Sequence, residues 1–164
     1  MQLTSQNFME GDTLDMVHVG AQEHGFGCSG GDQSPQLAWS GAPDGARSFA
    51  VTCYDPDAPT GSGFWHWQVV NIPSDVTELP MDAGRPDGSK LPPGALQTRN
   101  DYGVNGYGGP CPPEGHGPHH YVFTLFAVTQ EKLPVTADTS CAVVGFQLNH
   151  NNAGTAKLTA LFER

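Results

Sequence analysis

The sequence predicts a mainly β fold, a sandwich of sheets with long decorated loops. Apolar runs rich in Val, Phe, Trp and Thr are each bounded by Gly, Pro, Asn or Asp, as strands typically are. These runs span residues 14–19, 48–54, 65–72, 121–128 and 157–162. The chain also holds 21 Gly and 14 Pro, which indicates many turns, whereas helical periodicity is scarce.

Two of these runs allow the faces of the strands to be assigned. In residues 48–54 both alternating sets of side chains are largely apolar, which predicts a central strand covered on both faces. In residues 65–72, alternation places His66 and Gln68 on one face and Trp65 and Trp67 on the other.

The rest of the chain offers one helix candidate and one long loop. Residues 140–148 could form a helix with Ala142, Val143 and Phe146 facing inward, although Gly145 interrupts the pattern. Residues 81–105 contain several Pro and Gly without a clear period. A loop of that length is unusual in a compact domain, so we expect it to be functional unless it contains a short strand.

Length and charge limit the function classes. A chain of 164 residues has the usual size of one compact domain, so we expect residues 1–164 to form a single domain. Seventeen acidic against seven basic residues give a net charge of −10. Such a surface repels phosphate backbones, so no nucleic-acid partner is expected. An anion site would have to be built from His side chains and backbone N–H groups.

The N-terminus and the cysteines predict a cytoplasmic protein with reduced thiols. Residues 1–11 lack a basic stretch followed by an apolar one, and no segment approaches the roughly 18 apolar residues that span a bilayer. A chain from which a signal peptide had been removed would look the same. No C-x-x-C pair occurs, so we expect four free thiols and neither a zinc nor a redox motif. They are Cys28, Cys53, Cys111 and Cys141.

Two carboxylates directly follow the predicted central strand. Asp55 and Asp57 are separated by Pro56 and followed by Pro59, and these prolines fix the backbone that aims the carboxylates. An ordinary Asx/Pro turn leaving a strand explains the same residues. The motif alone leaves both interpretations open.

Histidines supply the second set of candidates. His66 opens a strand among aromatic residues, where it is either a ligand contact or a core histidine bonded to a carbonyl. Further on, alternation places His119 and Tyr121 on one strand face and His120 on the other, so one histidine of this pair should point inward.

The glycine-rich segment at residues 106–110 precedes these histidines. Glycine allows backbone N–H groups to approach a ligand closely, and successive N–H groups can form an anion-binding concavity. A disordered surface loop is the alternative. The nearby cluster of His116, His119 and His120 also admits a metal hypothesis. Because no helix aligns these imidazoles, we expect no metal and no cofactor.

Four motifs in register resemble those of the phosphatidylethanolamine-binding protein (PEBP) family. They are D-P-D-A-P at 55–59, W-H-W-Q-V-V-N at 65–71, G-Y-G-G-P at 106–110 and H-H-Y-V-F at 119–123. The resemblance covers nearly the whole chain, and the Gly/Pro-rich insert at 111–118 is similar to the bacterial Raf kinase inhibitor-like subgroup. It implies a PEBP-like β-sandwich with a large central antiparallel sheet, long loops and one or two short helices.

The resemblance also implies a ligand site at one end of the central sheet, where a phosphate or a phosphorylated head group binds. By motif position, the ligand-binding residues are Asp55, Asp57, His66, Gly109, Pro110, His119 and Tyr121, and the rim residues are Phe64, Trp65 and Tyr107. A cis peptide bond between Ala58 and Pro59 is implied as well. Phe64 stands where animal members have a tryptophan. No counterpart of their C-terminal helix is evident, so the cavity should be more open.

Three functions are compatible with these residues. The first is a binding module for a small anion or phosphorylated head group, in which carboxylates hold His66 and His119 as N–H donors and binding tightens at mildly acidic pH. The alternative is a hydrolase, either metal-dependent or based on His and Asp, although no G-x-S-x-G or H-E-x-x-H motif occurs. A kinase inhibitor with a protein partner, and a homodimer, are implied by the resemblance alone.

Overall fold

The computed structural model describes all 164 residues. Its strands are β1 (Gln2–Thr4), β2 (Leu37–Ser40), β3 (Ser48–Asp55), β4 (Phe64–Pro73), β5 (Glu78–Leu79), β6 (Leu96–Gln97), β7 (His119–Val128) and β8 (Asn152–Phe162). One antiparallel sheet has the order β6-β4-β3-β7-β8 and the other has the order β1-β2-β5. The predicted mainly β fold with a large central antiparallel sheet is confirmed.

Four of the five predicted strands are present. The strands that the sequence did not predict, β1, β2, β5 and β6, have only two to four residues. The runs at 48–54, 65–72, 121–128 and 157–162 correspond to β3, β4, β7 and β8. The strand predicted at 14–19 is wrong, because the chain turns there in a 3-10 helix at Met16–His18 between the buried Leu14 and Val19. The two-residue strand β6 lies inside the long loop at 81–105, too short to produce a sequence pattern.

The central strand β3 is covered on both faces, as its two apolar sets predicted. Phe49, Val51 and Cys53 face the core between the two sheets, whereas Ala50 packs in a second core with Val144 of the helix. Burying a side chain of the size of Val or Phe stabilises the fold by about 1.5–3 kcal/mol. This double burial holds the strand that ends at the candidate site.

The helix α1 (Cys141–His150) confirms the one helix prediction but not its inward face. Its buried residues are Cys141, Val144 and Leu148, whereas Val143 and Phe146 are exposed. The spacing of three and four residues gives a narrow stripe that matches the sheet surface beneath it. No helix in the structure has the length and apolar character that a membrane crossing requires.

A β-bulge in β4 decides which of its side chains reach the candidate site. The register shifts between the pairs Cys53–Trp67 and Tyr54–Trp65, which leaves His66 as the extra residue. Trp67 therefore lies in the core between the sheets, and Trp65 packs against Tyr54 on the opposite face with ring centroids 4.4 Å apart. The assignment of both tryptophans to one face was wrong, because a bulge reverses the alternation beyond it.

Two further predictions are corrected. Cys28 and Cys111 form a disulfide, so the four free thiols reduce to Cys53 and Cys141, both buried. These partners are 83 residues apart in sequence, and only the fold brings them together. All peptide bonds are trans, so the cis bond before Pro59 is wrong.

Candidate ligand-binding site

A cavity of about 160 Å³ opens where β3, β4 and β7 meet their loops. It brings together four of the predicted binding residues, Asp55, His66, His119 and Tyr121, and the predicted rim residue Phe64. Its other walls are Phe26, Ala58, Pro59, Thr60, Tyr102, Cys111, Pro112 and Pro113. The cavity therefore combines largely apolar walls with a small number of polar groups, which is typical of ligand pockets.

The carboxylate of Asp55 organises one side of the cavity. It ends β3, is only 3% exposed, and accepts hydrogen bonds on both oxygens. Oδ1 accepts the backbone N–H groups of Asp57 and Ala58 at 2.8 and 3.1 Å, and Oδ2 accepts Nδ1–H of His119 at 2.7 Å. Asp55 thus closes an Asx turn, as one interpretation of the motif predicted, and also orients the imidazole of His119 at the cavity.

The imidazole of His119 is bonded on both of its nitrogens. While Nδ1 donates to Asp55, Nε2 lies 2.8 Å from Nδ1 of His116, so one proton is shared between the two rings. His119 is buried and His116 is exposed. A chain of hydrogen bonds therefore leads from the buried carboxylate to the protein surface. Any ligand that bonds Nε2 of His119 has to displace His116.

His66 offers the cavity an acceptor. Its Nδ1 lies 2.6 Å from the carbonyl oxygen of Gly108, which only accepts, so the proton resides on Nδ1 and Nε2 carries the lone pair. Burial lowers the pKa of His66 to about 4, against the opposing effects of the Gly108 carbonyl and the Asp55 charge. The ring is neutral at pH 7, so it does not present the N–H group to an anion that we had predicted.

Two tyrosines complete the polar surface. The hydroxyl of Tyr121 is fully buried and has no hydrogen-bond partner, and its ring meets His66 edge-on with centroids 5.1 Å apart. Tyr102 donates to the carbonyl of Gly109 at 2.9 Å. Burial raises the pKa of both phenols. Because a buried unpaired hydroxyl costs about 1–3 kcal/mol, a ligand that bonds Tyr121 would recover that energy.

The backbone N–H groups of the glycine-rich segment are already used inside the protein. Tyr107 donates to the Gly84 carbonyl, Gly108 to the His66 carbonyl and Gly109 to Asp32 Oδ1. Its glycines serve close packing, since a Cβ on Gly109 would overlap the carbonyl oxygen of His18. Gly109 and Pro110 therefore lie behind the cavity, and the loop acts on it through the Gly108 carbonyl that orients His66.

Besides Gly109 and Pro110, three predicted residues lie outside the cavity. Trp65 faces the opposite side of the sheet, and the hydroxyl of the buried Tyr107 donates to the His18 carbonyl at 3.0 Å. Asp57 is exposed and accepts both the backbone N–H and Nδ1–H of His120 at 2.8 Å. Although its slight burial acts in the other direction, these bonds from His120 lower the pKa of Asp57.

The clustered histidines do not converge on one point. His116 contacts His119, whereas His120 lies on the other strand face with Asp57. No three His, Cys, Asp or Glu side chains in the chain are arranged to hold a metal ion. The geometry therefore gives the metal hypothesis no ligand set.

One wall of the cavity was missed at the sequence level. Phe26 and Cys111 lie on two segments that the disulfide to Cys28 joins, and the Arg164 guanidinium donates to the Phe26 carbonyl at 2.8 Å. Cys111 directly follows the G-Y-G-G-P motif, and that position was the only available signal. Phe26 and Tyr102 carry no pattern that distinguishes them from turn residues.

The sequence matches the family model described as phosphatidylethanolamine-binding protein over residues 4–163. The chain belongs to this family. It is 57% identical over 162 residues to the UPF0098 protein YbcL of Escherichia coli, covering 99% of this chain and 87% of YbcL. It is 46% identical to the UPF0098 protein YbhB of the same organism, with 99% of both chains covered.

Solved structures agree with this assignment. The crystal structure of Escherichia coli YbcL, described as a new member of the mammalian PEBP family, superposes with a TM-score of 0.96 and 56% identity over 99% of this chain and 98% of that one. The PEBP homologue CT736 of Chlamydia trachomatis has a TM-score of 0.80 and 27% identity, covering 99% and 97%. Membership of the PEBP family supports a ligand-binding role.

Proposed function

We propose that this PEBP-family protein binds a small ligand with a protonated phosphoryl group in the cavity between Asp55, His66 and Tyr121. One observation carries the proposal. The buried hydroxyl of Tyr121 lacks a partner, its ring packs edge-on against His66, and both residues line the cavity, where Nε2 of His66 has no partner. A P–OH group can donate to His66 Nε2 while a second phosphoryl oxygen accepts from Tyr121.

The size of the cavity limits what can enter. A volume of about 160 Å³ equals roughly five water molecules at about 30 Å³ each. Drug-sized ligands occupy roughly 300–1,000 Å³. The cavity suits inorganic phosphate or a phosphorylated head group, and any lipid tail would have to remain outside.

The charge of the cavity favours a monoanion over a dianion. Neither Lys nor Arg lines it, and the Asp55 carboxylate is bonded to His119. A second negative charge would therefore be buried without a counter-charge, which is costly. Because phosphate monoester dianions become monoanions near a pKa of about 6, binding should tighten as the pH falls through that value. The direction agrees with the sequence-based prediction, but the titrating group is the ligand.

His116 competes with such a ligand. Its Nδ1 is hydrogen-bonded to Nε2 of His119, and the bond from Nδ1 of His119 to Asp55 holds that ring in place. Because Nδ1 of His119 donates to Asp55, removing His116 with His116→Ala should free Nε2 of His119 to accept a hydrogen bond from a P–OH group. We therefore expect this variant to bind phosphate more tightly than the unmodified protein.

Calorimetric titration with inorganic phosphate and with phosphoethanolamine, at pH 5.5 and 7.5, tests the proposal. Loss of one hydrogen bond from Tyr121→Phe should weaken binding by about five- to tenfold, since such a bond contributes about 1–1.5 kcal/mol. Tyr54→Phe is the matched control, because its hydroxyl donates to the Ser62 carbonyl outside the cavity. Equal affinities for both variants would show that the ligand does not use this site.

A second matched pair separates the neighbouring histidines. His119→Gln should alter phosphate affinity, whereas His120→Gln, which removes a ring paired with Asp57 on the other strand face, should not. If both substitutions change the affinity equally, a general electrostatic effect explains the binding.

The hydrolase alternative has no comparable support. Thr60 carries the one aliphatic hydroxyl that lines the cavity and could serve as a nucleophile. This hydroxyl donates to the Gly63 carbonyl and does not pair with His119. A nucleophile needs a base within hydrogen-bond reach, and His116 occupies that position.

Kinase inhibition and homodimer formation remain predictions of the family likeness, which kinase assays and sedimentation would test. The cytoplasmic location is also a prediction, and the Cys28–Cys111 disulfide favours an oxidising compartment instead. Cell fractionation followed by thiol labelling would show which compartment holds the protein and whether Cys28 and Cys111 are oxidised there. This result would decide between a cytoplasmic location and an oxidising compartment.

A further inference from the structure

A second concave surface lies on the opposite face of the large sheet, beside α1. It is a groove of about 470 Å³, within the roughly 300–1,000 Å³ of small-molecule sites. Its floor consists of side chains from β3, β4, β7 and β8 that point away from the phosphoryl cavity. Gly145, Leu148 and Asn149 of α1 form one wall.

The floor of the groove carries an aromatic platform. The β4 bulge directs Trp65 to this face, where its ring packs against Tyr54 at a tilt of 38° with centroids 4.4 Å apart. Both rings are only half-buried, whereas the other two tryptophans of the chain are buried. Val122 and Phe126 extend this apolar floor along β7. A flat apolar group could therefore lie against Trp65 and Tyr54.

A polar row runs across the strands beside this platform. Thr52 lies opposite Thr124, and Thr124 lies opposite Lys157. The two threonines are only 2% and 8% exposed, yet neither hydroxyl is hydrogen-bonded within the protein, and both residues line the groove. Neither hydroxyl oxygen is fully enclosed, so both open onto the groove. An acceptor group bound in the groove would take their hydrogen bonds in place of solvent.

The charge of the groove is opposite to that of the chain as a whole. The protein carries a net charge of −10, but no Asp or Glu lines the groove. Lys157 contributes a cation that forms no ion pair, in contrast to Lys90, which pairs with Asp82 at 3.0 Å. The groove therefore presents hydrogen-bond donors and one free positive charge, a combination that favours an anion.

We propose that this groove is a second binding site, for a small carboxylate with an aromatic ring. The ring lies on Trp65 and Tyr54, and the carboxylate bonds Lys157 and the Thr124 hydroxyl. Tyr54 on β3 and Thr124 on β7 are offset by two residues, about 6.6–6.8 Å along the strand and about 4.8 Å across. Lys157 lies one strand further and reaches back with its long side chain, so a short alkyl spacer between ring and carboxylate fits the floor. The site is independent of the phosphoryl cavity, because the two lie on opposite faces of the sheet.

An NMR titration of the intact protein with 3-phenylpropionate tests this site, with 3-phenylpropanamide as the neutral control. We expect shifts of the Trp65 indole N–H and of the Thr124 and Lys157 amides, and weaker binding of the amide. Lys157→Gln should weaken phenylpropionate binding by about fivefold, which is the upper range for one exposed charge pair. Lys132→Gln, at an exposed position outside the groove, is the matched control and should have no effect.

Two results would overturn the proposal. One is equal binding of the acid and the amide, or equal effects of Lys157→Gln and Lys132→Gln, since the charge would then play no part. The other is a Trp65 signal that moves with protein concentration alone, which would identify the groove as a contact between copies of the chain. Repeating the titration with Tyr121→Phe separates the two sites, because the Trp65 shifts should persist while phosphate binding weakens.

Discussion

The Cys28–Cys111 disulfide should contribute a large share of the stability of this fold. It closes a loop over a sequence separation of 83 residues. The chain-entropy relation for a loop of that length gives about 4.5 kcal/mol near room temperature, through the conformational freedom that the cross-link removes from the unfolded chain. Replacing both cysteines by serine should therefore lower the free energy of unfolding by about this amount.

Urea unfolding monitored by tryptophan fluorescence measures the loss. With a urea dependence of roughly 2 kcal/mol per molar for a domain of this size, the midpoint of Cys28→Ser/Cys111→Ser should fall by about 2 M. A reductant provides the control. It should lower the urea midpoint of the unmodified protein by breaking the disulfide and leave the midpoint of the double variant unchanged.

The same substitution should loosen one wall of the cavity. Phe26 and Cys111 lie on the two segments that the bond joins, and both line the pocket. Phosphate affinity is therefore expected to fall together with stability. A midpoint that moves by less than about 0.3 M would refute the reasoning, since it would mean that the unfolded chain gains little freedom when the loop opens.

Three further changes have expected outcomes in the same assay. Because burial lowers the pKa of His66 to about 4 from an ordinary value near 6.5, the folded state binds fewer protons than the unfolded state between these values. Stability should thus fall by about 3 kcal/mol as the pH drops from 6.5 to 4, and His66→Gln should remove this slope; an unchanged slope would contradict a buried neutral ring. His119→Gln leaves the buried Asp55 carboxylate without its partner and should cost about 3–5 kcal/mol, whereas His120→Gln, which breaks an exposed pair, should cost less than about 1 kcal/mol; similar losses would mean that burial does not decide the cost. Gly145→Ala adds a Cβ that meets nothing within 4 Å in α1 and should raise stability by about 0.5–1 kcal/mol; a loss would indicate that the groove side of the helix needs the glycine.

Local pattern was sufficient for the elements that follow regular periodicity. The alternation in β7 correctly separated the inward His119 from the outward His120, because that strand pairs with β3 without a register shift. The doubly apolar run of β3 correctly indicated a strand buried on both faces. In each case the side-chain direction follows from the two-residue period of the strand alone.

The same reasoning failed wherever a partner strand or a distant segment intervened. The extra residue at His66 exists only relative to β3, so no count along β4 could have revealed that Trp65 and Trp67 face opposite sides. The amides of the glycine-rich loop were predicted to face a ligand, but those of Tyr107, Gly108 and Gly109 donate to segments up to 77 residues away in sequence. Cys28 and Cys111 likewise depend on long-range folding to meet.

From the amino-acid sequence alone, the β class, the family motifs and the residue types available for chemistry could be determined, since each depends on neighbours along the chain. Only the tertiary structure decided that His66 donates to the Gly108 carbonyl and so presents an acceptor to the cavity, that His116 blocks His119, and that Trp65 lines a second groove. The physical reason is that hydrogen-bond partners and burial set the protonation and the direction of a polar side chain, and those partners come from other strands.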